Sequence, residues 1–115
     1  MRIAVASNGL DVSTHGGRCT DYTCYTVTRG VIAQCQNFPN PCLPPAATAS
    51  LLNRLGVDVL IAHTLDPSIQ SALEQSGVET VTGAIGTARS AAEEFLADML
   101  AGRGSFEPDL AADRS

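Results

Sequence analysis

The chain has no lysine: its seven basic side chains are all arginine, set against twelve acidic ones for a formal net charge of −5. A surface with that balance repels polyphosphate and anionic lipid, which disfavours nucleic-acid or membrane-surface binding. No window approaches the ~20 apolar residues of a membrane span. The start, Met1-Arg2-Ile3-Ala4-Val5-Ala6-Ser7-Asn8, reaches a polar turn too soon for a secretory signal. The expected location is therefore cytoplasmic, where four cysteines read as thiols or metal ligands rather than as a disulfide framework. Several enzymatic signatures are also missing. The candidate central strand Arg2 to Ser7 carries no carboxylate with which a nuclease could hold two metals. There is no Gly-x-Ser-x-Gly elbow, no P-loop and no Gly-x-Gly-x-x-Gly after a strand. Together these absences favour binding over turnover.

What is present is 115 residues that are 44% hydrophobic, enough for one domain with one core. Arg2 to Ser7 reads as a strand buried on both faces and ended by Asn8-Gly9. A long loop, Asn8 to Tyr22, follows. Thr23 to Val27 and Val31 to Gln34 then flank Thr28-Arg29-Gly30 as a hairpin. A two-residue Arg29-Gly30 turn would place Thr28 against Val31 and Cys24 directly opposite Cys35, whereas a three-residue turn would separate the two cysteines. Gln36 to Pro45 holds prolines 39, 41, 44 and 45, so it is neither a central strand nor a helix interior; it reads as a stiff connector carrying Cys42.

Pro44-Pro45 open a helix with a Leu51, Leu52 and Leu55 stripe and Gly56 as its cap. Val57 to Ala62 is a fourth strand. Asp66-Pro67 starts a helix with Ile69, Ala72, Leu73 and Ser76 on one face before Gly77. Val78 to Thr82 is the fifth strand, and Gly83-Ala84-Ile85-Gly86-Thr87 turns into a helix striped by Ala88, Ala92, Phe95, Leu96 and Met99, with Gly102 expected to end it. Residues 1–102 thus form the domain, and Arg103 to Ser115 a flexible, solvated tail. The order βββαβαβα predicts an α/β fold: a mixed five-stranded sheet, order 3-2-1-4-5, with the first, fourth and fifth strands parallel and helices on both faces. Ligands on such sheets gather at the carboxyl ends of the parallel strands, here the loops 8–22, 63–66 and 83–87.

Ser13-Thr14-His15-Gly16-Gly17-Arg18-Cys19 puts an imidazole, a guanidinium and a thiol on a glycine-softened loop. Imidazole and thiolate are borderline-to-soft metal ligands, and arginine offers planar donors to an oxo or sulfido anion. The plainer reading is an exposed turn with a fortuitous cysteine. His63 either caps its strand or adds a second imidazole facing His15. If the loops converge, His15, Cys19 and His63 make a three-ligand set with an open position. The Gly83 to Thr87 turn offers backbone N–H groups at a helix N-terminus to an anion, or is simply a start capped by Thr87. Arg89 faces either the same ligand or solvent. Cys24 is a small core residue or the partner of Cys35, as a dithiol or a reversible disulfide. Cys35 and Cys42, at C-x6-C, do not match a zinc spacing.

Four segments, Met1 to Gly9, His15-Gly16-Gly17-Arg18-Cys19, Leu55 to Ala62 and Gly77 to Thr87, together resemble the nitrogenase iron-molybdenum cofactor accessory family over roughly residues 1 to 101. Gly16 stands where the family has phenylalanine in a His-Phe-Gly-Arg run, and His63-Thr64-Leu65-Asp66 stands where it has Gly-Gly-x-Gly. The resemblance implies a ribonuclease-H-like fold without nuclease activity. It also implies non-enzymatic binding or carriage of an iron-sulfur or molybdenum-sulfur cluster, with cofactor-assembly proteins as partners and neither nucleic acid nor membrane among them. The implied cofactor-binding residues are Asn8, His15, Gly17, Arg18, Cys19, His63, Thr64, Gly83 and Gly86, with His15, Cys19 and His63 as metal ligands. The rival expectations are an interaction or regulatory module of the same fold that has lost the cluster, and a thiol redox protein using Cys24 and Cys35.

Overall fold

The computed structural model describes residues 1–14 and 19–100. Nine elements follow in order: β1 (Arg2–Asn8), β2 (Asp11–Val12), β3 (Asp21–Thr28), β4 (Val31–Pro39), α1 (Pro45–Arg54), β5 (Val59–Ile61), α2 (Pro67–Gln75), β6 (Glu79–Val81) and α3 (Ala88–Leu100). The sheet runs β4-β3-β1-β5-β6, with β2 added to β1 off that path. It therefore has six strands where five are expected from the sequence. The extra one interrupts the loop after β1: Gly9, with φ +69°, lets the chain reverse so that Asn8 pairs Asp11 and Ser7 pairs Val12. β5 and β6 lie parallel to β1, while β3 and β4 are antiparallel.

β1 sits mid-sheet because both of its faces are apolar. Ala4 and Ala6 look toward one layer, with Leu52 of α1 and Leu73 of α2. Ile3 and Val5 look toward the other, with Ala88, Ala92 and Leu96 of α3. The alanines keep the α1–α2 face of the strand shallow, so two helices pack there while the larger side chains meet a single helix. Both short helices stop the same way. Gly56 and Gly77 take φ of +77° and +84°, and the N–H groups of Val57 and Val78 return to the carbonyls of Leu52 and Leu73 at 3.1 and 2.9 Å. This is a Schellman ending, which satisfies the last carbonyls and drops the next valine into the core. Pro45 and Pro67 open these helices as expected. Asp66 holds the N-cap position of α2, but its carboxylate makes no capping hydrogen bond. The expected end of α3 at Gly102 and the tail lie outside the described residues.

The hairpin departs from expectation in one place. Arg29 and Gly30 both have positive φ, +54° and +77°, the requirement of a two-residue type I′ turn, and Thr28 pairs Val31 as that turn dictates. The register then slips between Thr26 and Val27: Val27 pairs Ile32 but Thr26 pairs Gln34, leaving Ala33 as the extra residue of a bulge. Because side chains alternate faces, one inserted residue moves everything beyond it to the other side. Cys35 pairs Tyr25, and Cys24 pairs Gln36. The direct Cys24–Cys35 apposition, and with it the redox pair built on it, is overturned by this bulge. Cys24 is a buried core thiol and Cys35 an exposed one, both free. The strand also runs on to Pro39 rather than ending at Gln34. An edge strand tolerates that proline because its unused side needs no N–H donor.

Candidate functional site

The carboxyl ends of β1, β5 and β6 open onto the same side, and the loops that leave them are tied to one another. Val12 donates its N–H to the Gly86 carbonyl at 2.8 Å, and Ala88 donates to Leu10 at 2.8 Å, clamping β2 against the turn before α3. From the middle loop, Thr64 Oγ1 donates to the Thr14 carbonyl at 2.6 Å. On its other side, the Gly83 N–H reaches the His63 carbonyl at 2.8 Å. The three loops expected to converge do so through backbone groups as much as side chains.

His63 is half-buried, and its ring Nδ1 lies 3.1 Å from the Ala84 carbonyl oxygen. A carbonyl only accepts, so Nδ1 carries a proton, and in the neutral ring Nε2 then keeps its lone pair. That is the tautomer of a metal-ligating or hydrogen-bond-accepting imidazole whose orientation is fixed from behind. His63 and Thr64, standing where the resembled family has flexible glycines, thus hold two neighbouring loops in place.

The other expected site residues have different roles. Asn8 Oδ1 accepts the Thr20 N–H at 2.9 Å, closing the base of the loop between them. Gly83 and Gly86 have φ of +86° and +88° and open space where a Cβ would project, so their conformation, not crowding, calls for glycine. The N–H groups expected to be free at the start of α3 are partly used: Ala88 by Leu10, and Ser90 by Thr87 Oγ1 at 3.1 Å, so Thr87 caps the helix. Arg89 forms an exposed pair with Glu93 at 3.1 Å, one turn along α3. His15, Gly17 and Arg18 lie outside the described residues. Among those that are described, no three His, Cys, Asp or Glu side chains stand together as a metal site.

Cys19 is 1% exposed and packs in the α1–α2 layer, whereas His63 leans on Ala84, which packs with the α3 layer. Burial pushes the Cys19 thiol pKa up, with a hydrogen bond from Tyr22 working the other way. Asn40 Nδ2 lies 2.9 Å from the Cys19 carbonyl and 3.6 Å from its Sγ. Sequence reasoning missed this asparagine. The only available signal was its place in the proline-rich connector beside Cys42, which fixes nothing about distance in space. It also missed the polar cluster of Ser7, Asp21 and Thr23. Ser7 Oγ, fully buried, lies 2.8 Å from Asp21 Oδ1 and 2.9 Å from Thr23 Oγ1, closing the hydrogen bonds of the last turn of the central strand.

A family model described as dinitrogenase iron-molybdenum cofactor matches residues 1–98. The chain belongs to this family. None of the curated proteins compared with it is similar enough in sequence to match. Among solved structures, this family member superposes on the protein PH0822 with a TM-score of 0.78 at 16% identity, covering 84% of this chain and 89% of that one. A Thermotoga protein provisionally assigned as NifB gives 0.68 at 20% identity, covering 95% and 98%. The orange protein of Desulfovibrio gigas, solved in its apo form, gives 0.67 at 23% identity, covering 89% and 88%. At these identities the likeness is one of fold. The family match ends at residue 98, within α3.

Proposed function

We propose that this domain binds and carries an iron-sulfur or molybdenum-sulfur cluster as cargo for cofactor-assembly proteins in nitrogenase-type cofactor biosynthesis, and performs no turnover of its own. In this reading a ribonuclease-H-like scaffold is put to use as a holder. The observation that carries it is His63, whose ring is oriented by the Ala84 carbonyl with Nε2 left to ligate, at the junction of three cross-tied loops. An imidazole suits iron and other borderline metals. Membership in the family supplies the cluster as the ligand class.

His15 and Arg18 complete the proposed site. Thr64 ties the loop that bears them at Thr14, one residue before His15. His15 is the second imidazole, and the guanidinium of Arg18 meets the negative charge of the sulfido ligands. Gly83 and Gly86 let the backbone turn tightly at the mouth. Cys19 is a weaker ligand in this scheme than in the sequence-based set, since using its sulfur means breaking its bonds to Asn40 and Tyr22 and deprotonating a thiol that burial keeps neutral.

Amide chemical shifts recorded while tetrathiomolybdate is titrated into the apo protein test the reading. Shifts confined to residues near His63, Thr64 and Gly83 to Thr87, saturating with added ligand, are expected. No shifts, or shifts centred on α1 and α2, would overturn it.

A further inference from the structure

The bulge that separates Cys24 from Cys35 leaves a different pair of cysteines linked through one side chain. Asn40 Nδ2 donates to the Cys19 carbonyl at 2.9 Å and approaches its Sγ at 3.6 Å, while Asn40 Oδ1 accepts the Cys42 N–H at 2.9 Å. The Cys42 sulfur in turn lies 3.8 Å from the Asn40 carbonyl. A single amide thus spans the space between the two residues. Tyr22 is buried in the same core cluster as Cys19. One thiol of the pair is buried and the other exposed. Cys42 is held at φ +57°, in the left-handed region that a residue with a Cβ seldom occupies.

We infer that Cys19 and Cys42 are a dithiol that closes to an intramolecular disulfide by exchange with a low-molecular-weight disulfide of the glutathione class. The exposed Cys42, as thiolate, attacks one sulfur of the small disulfide. The Cys42–S–S–R bond forms, the small S–S bond breaks, and one RS⁻ leaves. Cys19 then loses its proton and attacks the Cys42 sulfur, expelling the second RS⁻ as the protein S–S bond forms. Two protein thiols are oxidised, one small disulfide is reduced to two thiols, and the two protons released from protein sulfur pass to the departing thiolates. The buried sulfur takes the second step because the exposed one is already tethered beside it, so access from solvent is needed at Cys42 only. Closure displaces the Asn40 bridge and fastens the end of the loop after β1, at Cys19, to the connector that leads into α1.

The test uses the full chain equilibrated with reduced and oxidised glutathione over a range of ratios, then alkylated and digested for mass spectrometry. As the buffer becomes oxidising, alkylatable thiols fall from four to two, one crosslink joins the fragments containing Cys19 and Cys42, and reductant reverses it. Cys42→Ser, a change at an exposed position that spares the core, abolishes the crosslink and leaves Cys19 reduced; Cys35→Ser leaves the crosslink intact. The inference fails if Cys42 ends only as a mixed disulfide with glutathione. It fails equally if Cys42 joins Cys35 or a second chain, or if all four thiols persist at the most oxidising ratio.

Discussion

Replacing Gly86 by alanine isolates one energy term. The residue has φ +88°, and a Cβ built there meets no heavy atom within 4 Å, so no clash contributes. What remains is the cost of holding an L-residue in the left-handed region, about 1–2 kcal/mol, partly offset by the roughly 0.4–1 kcal/mol by which alanine stiffens the unfolded chain. The net loss is about 1 kcal/mol, or on the order of 5 °C in Tm for a domain of this size. The Gly86 carbonyl receives the Val12 N–H at 2.8 Å, so any relaxation of φ weakens the clamp on β2 and adds to the loss. Asparagine tolerates positive φ better than alanine, and Gly86→Asn is expected to retain more of the stability. Urea melts of the apo protein measure this as a shift in midpoint with unchanged slope. A neutral Gly86→Ala, or an asparagine variant no better than the alanine one, would refute the claim that conformation is what requires glycine here.

Two further outcomes follow from the packing. Thr87→Ala removes the acceptor of the Ser90 N–H and should cost about 1 kcal/mol, with Thr87→Ser restoring most of it; thermal melts of the two variants decide. Burial pushes the Cys24 thiol from 9.0 up to about 11, and Cys19 and Tyr22 shift in the same direction. Each is favoured as the neutral form in the fold, so its contribution is complete below the unfolded value and is lost as pH rises through the folded one. Stability should therefore fall from about pH 9 toward 11, and in native protein at pH 8 alkylation should reach Cys35 and Cys42 well before Cys24. Flat stability across that range, or Cys24 reacting as fast as Cys35, would contradict the burial argument.

Features governed by short-range chemistry were legible in the sequence. Pro45 and Pro67 at helix starts, Gly56 and Gly77 at helix ends, and Arg29-Gly30 as a two-residue turn each answer to one or two neighbouring residues, and the structure has them where the sequence places them. The convergence of the three loops was also legible, because parallel strands deliver their carboxyl ends to one side. The bulge at Ala33 was not. An alanine inside a strand carries no mark of being unpaired, yet it decides which face Cys35 occupies. β2 escaped for a related reason. Two residues show no period, and their pairing is completed by partners as remote as Gly86 and Thr87. The Asn40 bridge between Cys19 and Cys42 depends on how the connector folds back on the sheet, which no local pattern encodes.

The most direct test of the account compares metal and sulfide content of wild type and His63→Ala, purified without oxygen and then incubated with iron and sulfide or with thiomolybdate. Loss of the His63 hydrogen bond to Ala84 should lower apo stability by only about 1 kcal/mol, so the variant stays folded and its uptake is interpretable. The account predicts stoichiometric metal and sulfide with a visible absorption band in wild type, and at least a tenfold loss of both in folded His63→Ala. Equal loading of the two proteins, or no loading of wild type under any of these conditions, would contradict it.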